Sequence, residues 1–256
     1  MAKIYSIHSF RGGTGKSNLT ANVAALIARA GHRVGVIDTD IQSPGIHVIF
    51  AVRPGDVQYA LNDFLWRRCR IEEAAQDVTA TAVGRFDPAA PRPRLFLIPS
   101  SVKTGEIARV LREGYDIGLL NDGIQQLIRA LDLDYLLIDT HPGVNEETLL
   151  SIAISDRLLL VMRPDSQDFQ GTAVTAELAR KLDVRDMILV LNKVPAGVDR
   201  ALLKEQVESA YQAPVAAMLP LSPEMAQLAS SGLFALRHPD HPLTQELARI
   251  VERLLT

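Results

Sequence analysis

The sequence predicts an α/β protein of three layers: a mostly parallel, twisted sheet with helices on both faces. Three observations lead there. Short, continuously apolar runs recur along the chain, helical patterns separate most of them, and the chemistry-bearing polar residues fall just after the apolar runs. A strand that is apolar throughout is buried on both sides, the condition of a parallel sheet covered by crossover helices. In such sheets ligands bind outside the carboxyl ends of the strands.

Lys3–His8 reads as the first strand. Lys16–Ala30 carries Leu19, Val23, Leu26, Ile27 and Ala30 at helical spacing, and Gly31 is placed to end that helix. Arg33–Asp38 is a short apolar strand closing on a carboxylate. Later strands are Leu95–Ile98, Tyr135–Asp139, Arg157–Met162, Met187–Asn192 and Val215–Leu219, with helical segments at Gly118–Leu131, Gly171–Leu182 and Arg200–Ala210. Residues 84–94, rich in proline and arginine, read as an exposed loop inserted before a strand. Near the C-terminus, Leu243, Leu247, Ile250, Val251, Leu254 and Leu255 form one stripe, while Glu246, Arg249, Glu252 and Arg253 opposite sum to zero charge. A helix lying on a membrane surface carries a basic polar face, so this one is expected to dock on its own domain.

The chain has 256 residues, enough for one sizeable core, and is expected to form a single domain over 1–256. Apolar residues make up 47% and the formal charge is -3, so any nucleic-acid or anionic-lipid partner would need a local basic patch. Such groups exist at Arg67, Arg68 and Arg70 beside Trp66, and at Arg180, Lys181 and Arg185. They are either a solvated face or a contact for DNA. One cysteine, Cys69, excludes an internal disulfide and a cysteine-based cluster within one chain, although two copies could share one. It reads as a half-buried apolar residue. The N-terminus runs straight into a strand pattern, and no run approaches the ~18 apolar residues that span a bilayer. A soluble, cytoplasmic protein is expected.

Arg11-Gly12-Gly13-Thr14-Gly15-Lys16-Ser17 follows the first strand and opens the first helix. Glycines let backbone N–H groups turn inward and approach phosphate oxygens. The helix N-terminus adds unpaired N–H groups and its dipole. Lys16 is a point charge for the β- and γ-phosphates, and the Ser17 hydroxyl is a magnesium ligand. This is a site for a nucleoside triphosphate and points to an ATPase. The usual Walker A pattern has glycine five positions before Gly15, where this chain has Phe10.

Carboxylates follow two of the strands. In Asp38-Thr39-Asp40, spacing two aims both side chains the same way from extended backbone, so that one can act at a metal-bound water while the other orients an attacking water. Tyr135–Asp139, followed by Thr140-His141-Pro142-Gly143, reads as a Walker B strand whose Asp139 holds magnesium through water. His141 is either a proton-transfer group or a solvated loop histidine. Asn192, at the end of a late strand, has the donor and acceptor to recognise adenine, without excluding guanine.

These residues resemble the deviant Walker A ATPases of the ParA/MinD family, whose loop reads K-G-G-x-G-K-[ST]; the match runs in order from Lys3 to about Leu236. The resemblance implies a P-loop NTPase fold with ATP and Mg2+ bound. It also implies a homodimer that sandwiches ATP, slow hydrolysis stimulated by a partner protein, and a role in positioning or partitioning a cargo. Arg11 stands where the family has its signature lysine, which reaches the partner's phosphates; Arg11 would bridge them in the same way or alter hydrolysis. By the same resemblance Asp40 positions the hydrolytic water, and Asp38 supports the magnesium sphere beside Ser17 and Asp139. Catalysis then falls to Arg11, Lys16 and Asp40. Asn192 and Lys193 match the family's adenine-contacting N-[KR] pair, and Asn18 and Pro220 complete the nucleotide-binding set with Gly12, Gly13, Thr14, Gly15, Lys16 and Ser17. Val161–Asp165 resembles the family's V-x-x-P-D segment. His141 replaces the first proline of the family's D-T-P-P-G segment. The family's surfaces are DNA or membrane; the neutral polar face of the C-terminal helix disfavours membrane. A carrier of metal clusters, like the family's Mrp or nitrogenase iron-protein relatives, is the second reading. A nucleotide-gated interaction module with little turnover is the third.

Overall fold

The computed structural model describes residues 2–84, 93–184 and 186–256. Most of the loop expected at 84–94, and Arg185 of the second basic group, lie outside them. Among the described residues the strands are β1 (Lys3–His8), β2 (Arg33–Asp38), β3 (Gln76–Asp77), β4 (Arg94–Ile98), β5 (Tyr135–Asp139), β6 (Arg157–Met162), β7 (Met187–Val194) and β8 (Val215–Pro220). They form one sheet in the order β3-β4-β2-β5-β1-β6-β7-β8. Every pairing is parallel except β3 with β4, a two-residue antiparallel edge too short to leave a sequence pattern.

Alternate side chains of each strand feed opposite faces, as the two-residue pleat requires. Ile7, Val34, Val36, Leu97, Leu137, Leu159 and Val190 pack with the first helix, α1 (Lys16–Arg29), and with the C-terminal helix Pro242–Leu255. On the other face, Ile37, Ile98, Leu136 and Ile138 meet Leu120, Ile124 and Leu127 of helix Ile117–Ala130. Further along that face, Leu158, Leu160 and Leu189 meet Ala176 of helix Ser166–Lys181 and Val207 of helix Arg200–Tyr211. The three expected layers are present. Leu243, Leu247, Ile250, Val251 and Leu254 are all buried, so the C-terminal stripe is spent on the core. No helix among the described residues is long and apolar enough to cross a membrane.

Strand register places the polar strand ends. Asp38 is paired with Asp139 across β2 and β5, and Ile7 with Asp139 across β5 and β1. Two strand-terminal carboxylates therefore stand side by side, next to the loop that leaves β1.

Candidate functional site

The chain leaves β1 at His8 and turns through Gly15 into α1. Gly13 and Gly15 hold φ of 77° and 95°, left-handed values that cost a residue with a Cβ roughly 1–2 kcal/mol. Gly15 also has no room: a Cβ there would stand 2.5 Å from the Asn192 amide nitrogen. As the residue capping α1 it offers no side chain to the first-turn N–H groups, which stay available to an anion. Phe10, standing where a regular Walker A loop has glycine, sends its ring onto Gly171, where a Cβ would approach ring carbon to 2.2 Å. The loop is thus anchored sideways to helix Ser166–Lys181.

Lys16 is buried, and burial lowers its pKa despite the opposing charges of Asp139, Asp40 and Asp38. Asp38 and Asp139 are buried side by side. Burial, then the charges of Asp139 and Asp40, hold Asp38 well above the usual carboxylate range. Burial pushes Asp139 up to about 6, against a hydrogen bond from Ser17 and the charge of Lys16. The Thr20 hydroxyl lies 3.2 Å from Asp139 Oδ1. Behind them His8 is buried, its Nδ1 2.7 Å from the Thr140 hydroxyl. Burial, then the nearby Lys16 and His141, push its pKa down to about 3. With Thr140 donating to the Ile7 carbonyl at 3.0 Å, His8 Nδ1–H is the donor to Thr140. Its Nε2 is left with no partner.

Buried polar atoms are nearly always satisfied, yet Asp38 Oδ2, Thr14 Oγ1 and Asn18 Oδ1 also have no partner. Two carboxylates raised by burial, an orphaned carboxylate oxygen and a serine hydroxyl form a hard-oxygen donor set. That set suits magnesium, which binds through one or two carboxylates together with phosphates. A bound cation also reverses the upward pressure on both carboxylates. The residues fit a magnesium–phosphate group.

Asp40 lies just beyond, its N–H donating to Asp38 Oδ1 at 3.0 Å. Its own Oδ1 accepts from the Ser43 N–H and hydroxyl at 3.1 and 2.9 Å, and from His141 Nδ1 at 2.7 Å. Arg11 is half exposed at the rim, its Nε 3.7 Å from Asp168 Oδ1. Asp168 is buried and also accepts from Arg163, through the backbone N–H at 2.9 Å and Nε at 3.0 Å. A Cβ at Gly12 would stand 4.0 Å from the Pro142 ring.

On the far side of the loop Asn192 donates to the Thr14 carbonyl at 2.7 Å, and Lys193 Nζ to the Gly13 carbonyl at 2.7 Å. Asn192 Oδ1 accepts the Lys193 N–H at 2.8 Å. One amide hydrogen and one lone pair of Asn192 remain for a base. Both residues line a cleft of 350 Å³ with Asn18, Pro220, Leu221, Met225 and Ser230. The residues assigned in the sequence to phosphate, magnesium, catalysis and base thus gather around the glycine loop at the carboxyl ends of the strands. Thr20, His8 and Asp168 join them without having been singled out. Asp168 alone left a trace, as an acidic residue just after Val161–Asp165.

The basic groups near Trp66 are internally committed. Arg68 pairs with Asp63 at 3.1 Å and Arg70 with Glu72 at 3.3 Å, while Arg68 and Arg109 lie over the Trp66 ring at 5.0 and 4.5 Å. Lys181 pairs with Glu177 at 2.8 Å.

A family model described as the CobQ/CobB/MinD/ParA nucleotide binding domain matches residues 5–235. An uncharacterized ATP-binding protein of Methanocaldococcus jannaschii is 25% identical, the alignment covering 100% of this chain and 88% of that protein. An iron–sulfur cluster carrier protein of Pseudomonas fragi is 26% identical over 96% of this chain and 83% of its own. Alignments with several further relatives span between 55% and 64% of those proteins' length. Among solved structures, the septum site-determining protein MinD of Pyrococcus horikoshii, complexed with Mg-ADP, matches with a TM-score of 0.79. The match covers 99% of this chain and 96% of that one at 20% identity, a likeness of fold.

Proposed function

The chain belongs to the CobQ/CobB/MinD/ParA nucleotide-binding family, and on that premise we propose that it is an ATP-dependent dimerising switch. It hydrolyses ATP slowly to position or partition a cellular cargo, DNA or a protein assembly. The observation that carries this reading is the buried Lys16 set against two buried, charge-starved carboxylates, one with an orphaned oxygen, at the mouth of a glycine loop. Amides of Gly12, Gly13, Thr14 and Gly15 cradle the phosphates, and Lys16 meets their charge. Ser17, Asp38 and Asp139 hold magnesium, which when bound neutralises charge on the phosphates. Asp40 orients the attacking water. Asn18, Asn192, Lys193 and Pro220 line the nucleoside side. Arg11, exposed and only loosely paired with Asp168, is available to a second copy's phosphates.

Sedimentation and phosphate release test this together. The wild type and Asp40→Ala should dimerise with Mg-ATP and not with ADP, while Asp40→Ala slows phosphate release by about 100-fold, the scale for a misplaced water. Lys16→Ala should neither dimerise with Mg-ATP nor release phosphate. A chain that stays monomeric in Asp40→Ala with saturating Mg-ATP contradicts the switch.

The iron–sulfur carrier among the relatives favours a second reading. Against it, the chain has one cysteine, Cys69, whose thiol is pushed up to about 11 by burial and nearby carboxylates, away from the thiolate that ligates iron. Iron analysis of anaerobically purified protein separates the two. DNA binding in the switch reading is expected only with ATP and should fall steeply with salt.

A further inference from the structure

β2 and β5 are adjacent, and the pairing of Asp38 with Asp139 sets Asp40 and His141 two residues beyond it on neighbouring chains. There His141 Nδ1 lies 2.7 Å from Asp40 Oδ1. The same oxygen accepts from the Ser43 N–H at 3.1 Å and the Ser43 hydroxyl at 2.9 Å. Asp40 Oδ1 therefore carries three donors, while Oδ2 takes part in no hydrogen bond among the described residues. Both side chains are largely buried, 23% exposed for His141 and 15% for Asp40, so the contact is shielded from competition by water. The His141 backbone is itself tied down, its carbonyl accepting from the Thr148 hydroxyl at 3.3 Å on helix Glu146–Ala153. Carboxylates that work on a water need one oxygen fixed and the other presented, with the supporting hydrogen bond itself on a rigid base.

We propose that His141 is a positioning residue for Asp40, its Nδ1–H fixing Oδ1 so that Oδ2 stays free to take a water. This rests on the reading of Asp40 above and adds a part that the family pattern, with proline at this position, does not contain. The imidazole acts through Asp40. It links the loop after β5 to the loop after β2, so the two carboxylate-bearing loops move as one unit.

Nitrogen NMR and phosphate release on a set of variants test it. In the nucleotide-free chain, ¹⁵N NMR should find His141 protonated at Nδ1, and Asp40→Ala should abolish that preference. In phosphate release with Mg-ATP, His141→Pro should lower kcat by about 10-fold or more, the scale for a displaced reacting group, with KM for ATP unchanged. His141→Asn, whose amide nitrogen stands where Nδ1 does, should recover most of that loss. In the background of Asp40→Ala, His141→Pro should cost nothing further. Melting curves establish that each variant is folded, and His141→Ala replaces His141→Pro if the latter is not.

Wild-type kcat in His141→Pro, beside an Asp40→Ala that has lost turnover, overturns the proposal and leaves the role of Asp40 standing. So does His141→Asn as slow as His141→Pro, or an Nδ1 that is unprotonated. Wild-type turnover in Asp40→Ala removes the parent reading and this one with it.

Discussion

Asp139 binds its proton more tightly in the folded chain than in the unfolded one. Between its ordinary value of 3.8 and its folded value of about 6, the native state holds more protons. The stability it contributes is therefore complete below pH 3.8 and is lost as pH rises through 6. Without nucleotide, ionised Asp139 is a burden at neutral pH. Asp139→Asn should stabilise the nucleotide-free chain at pH 7.5 by up to about 3 kcal/mol, from 1.36 kcal/mol per pKa unit. At pH 4 the gain should vanish; urea unfolding at the two values checks this. His8 acts in the opposite sense: held down to about 3 against an ordinary 6.5, it withdraws stability as pH falls from 6.5 toward 3. Arg11–Ser17 and Asp139 are legible in the sequence because glycines, lysine and a strand-terminal carboxylate have few other reasons to occur in that order. His8 and Thr20 are not. One reads as the end of a strand and the other as helix interior, and only pairing between distant segments brings them to Thr140 and Asp139.

Among the elements, the C-terminal helix is legible from its stripe, since a neutral polar face leaves the protein's own core as the place for six apolar residues. Ile250 is fully buried there against α1 and the sheet. Ile250→Ala should cost roughly 2–5 kcal/mol. Glu246→Ala on the outer face, losing partly exposed pairs with Arg200 and Arg249, should cost under about 1 kcal/mol. Denaturant titration of both variants checks the contrast. Other elements are longer than their apolar patterns. Helix Ser166–Lys181 begins five residues before the apolar pattern at Gly171, because Asp165 caps it and accepts from Gln167 and Asp168 in a polar first turn. Apolar periodicity is silent across such a turn. Phe10 carries the opposite lesson: a position that reads as a missing glycine in the loop is an aromatic anchor that needs Gly171 opposite.

At the scale of the whole molecule, strand order makes the site. Inserting β5 between β2 and β1 sets both carboxylate strands beside the glycine loop, and β6, β7 and β8 bring Asn192 and Pro220 to its other flank. The α/β class and most strands are legible in the sequence, whereas the order of strands is not, because it depends on which crossovers span which neighbours. The exposed Arg11 belongs to this scale, since its expected task lies on a second copy. Arg11→Ala should bind Mg-ATP with unchanged affinity as a monomer and fail to dimerise in sedimentation. Central to the proposed function, magnesium and a triphosphate complete the loop, Lys16 and the paired carboxylates. Calorimetric titration of the nucleotide-free chain with ATP, with and without magnesium, tests this most directly. Saturable binding that requires magnesium and disappears in Lys16→Ala is predicted. Heats indistinguishable from dilution for every nucleoside triphosphate, magnesium present, would contradict it.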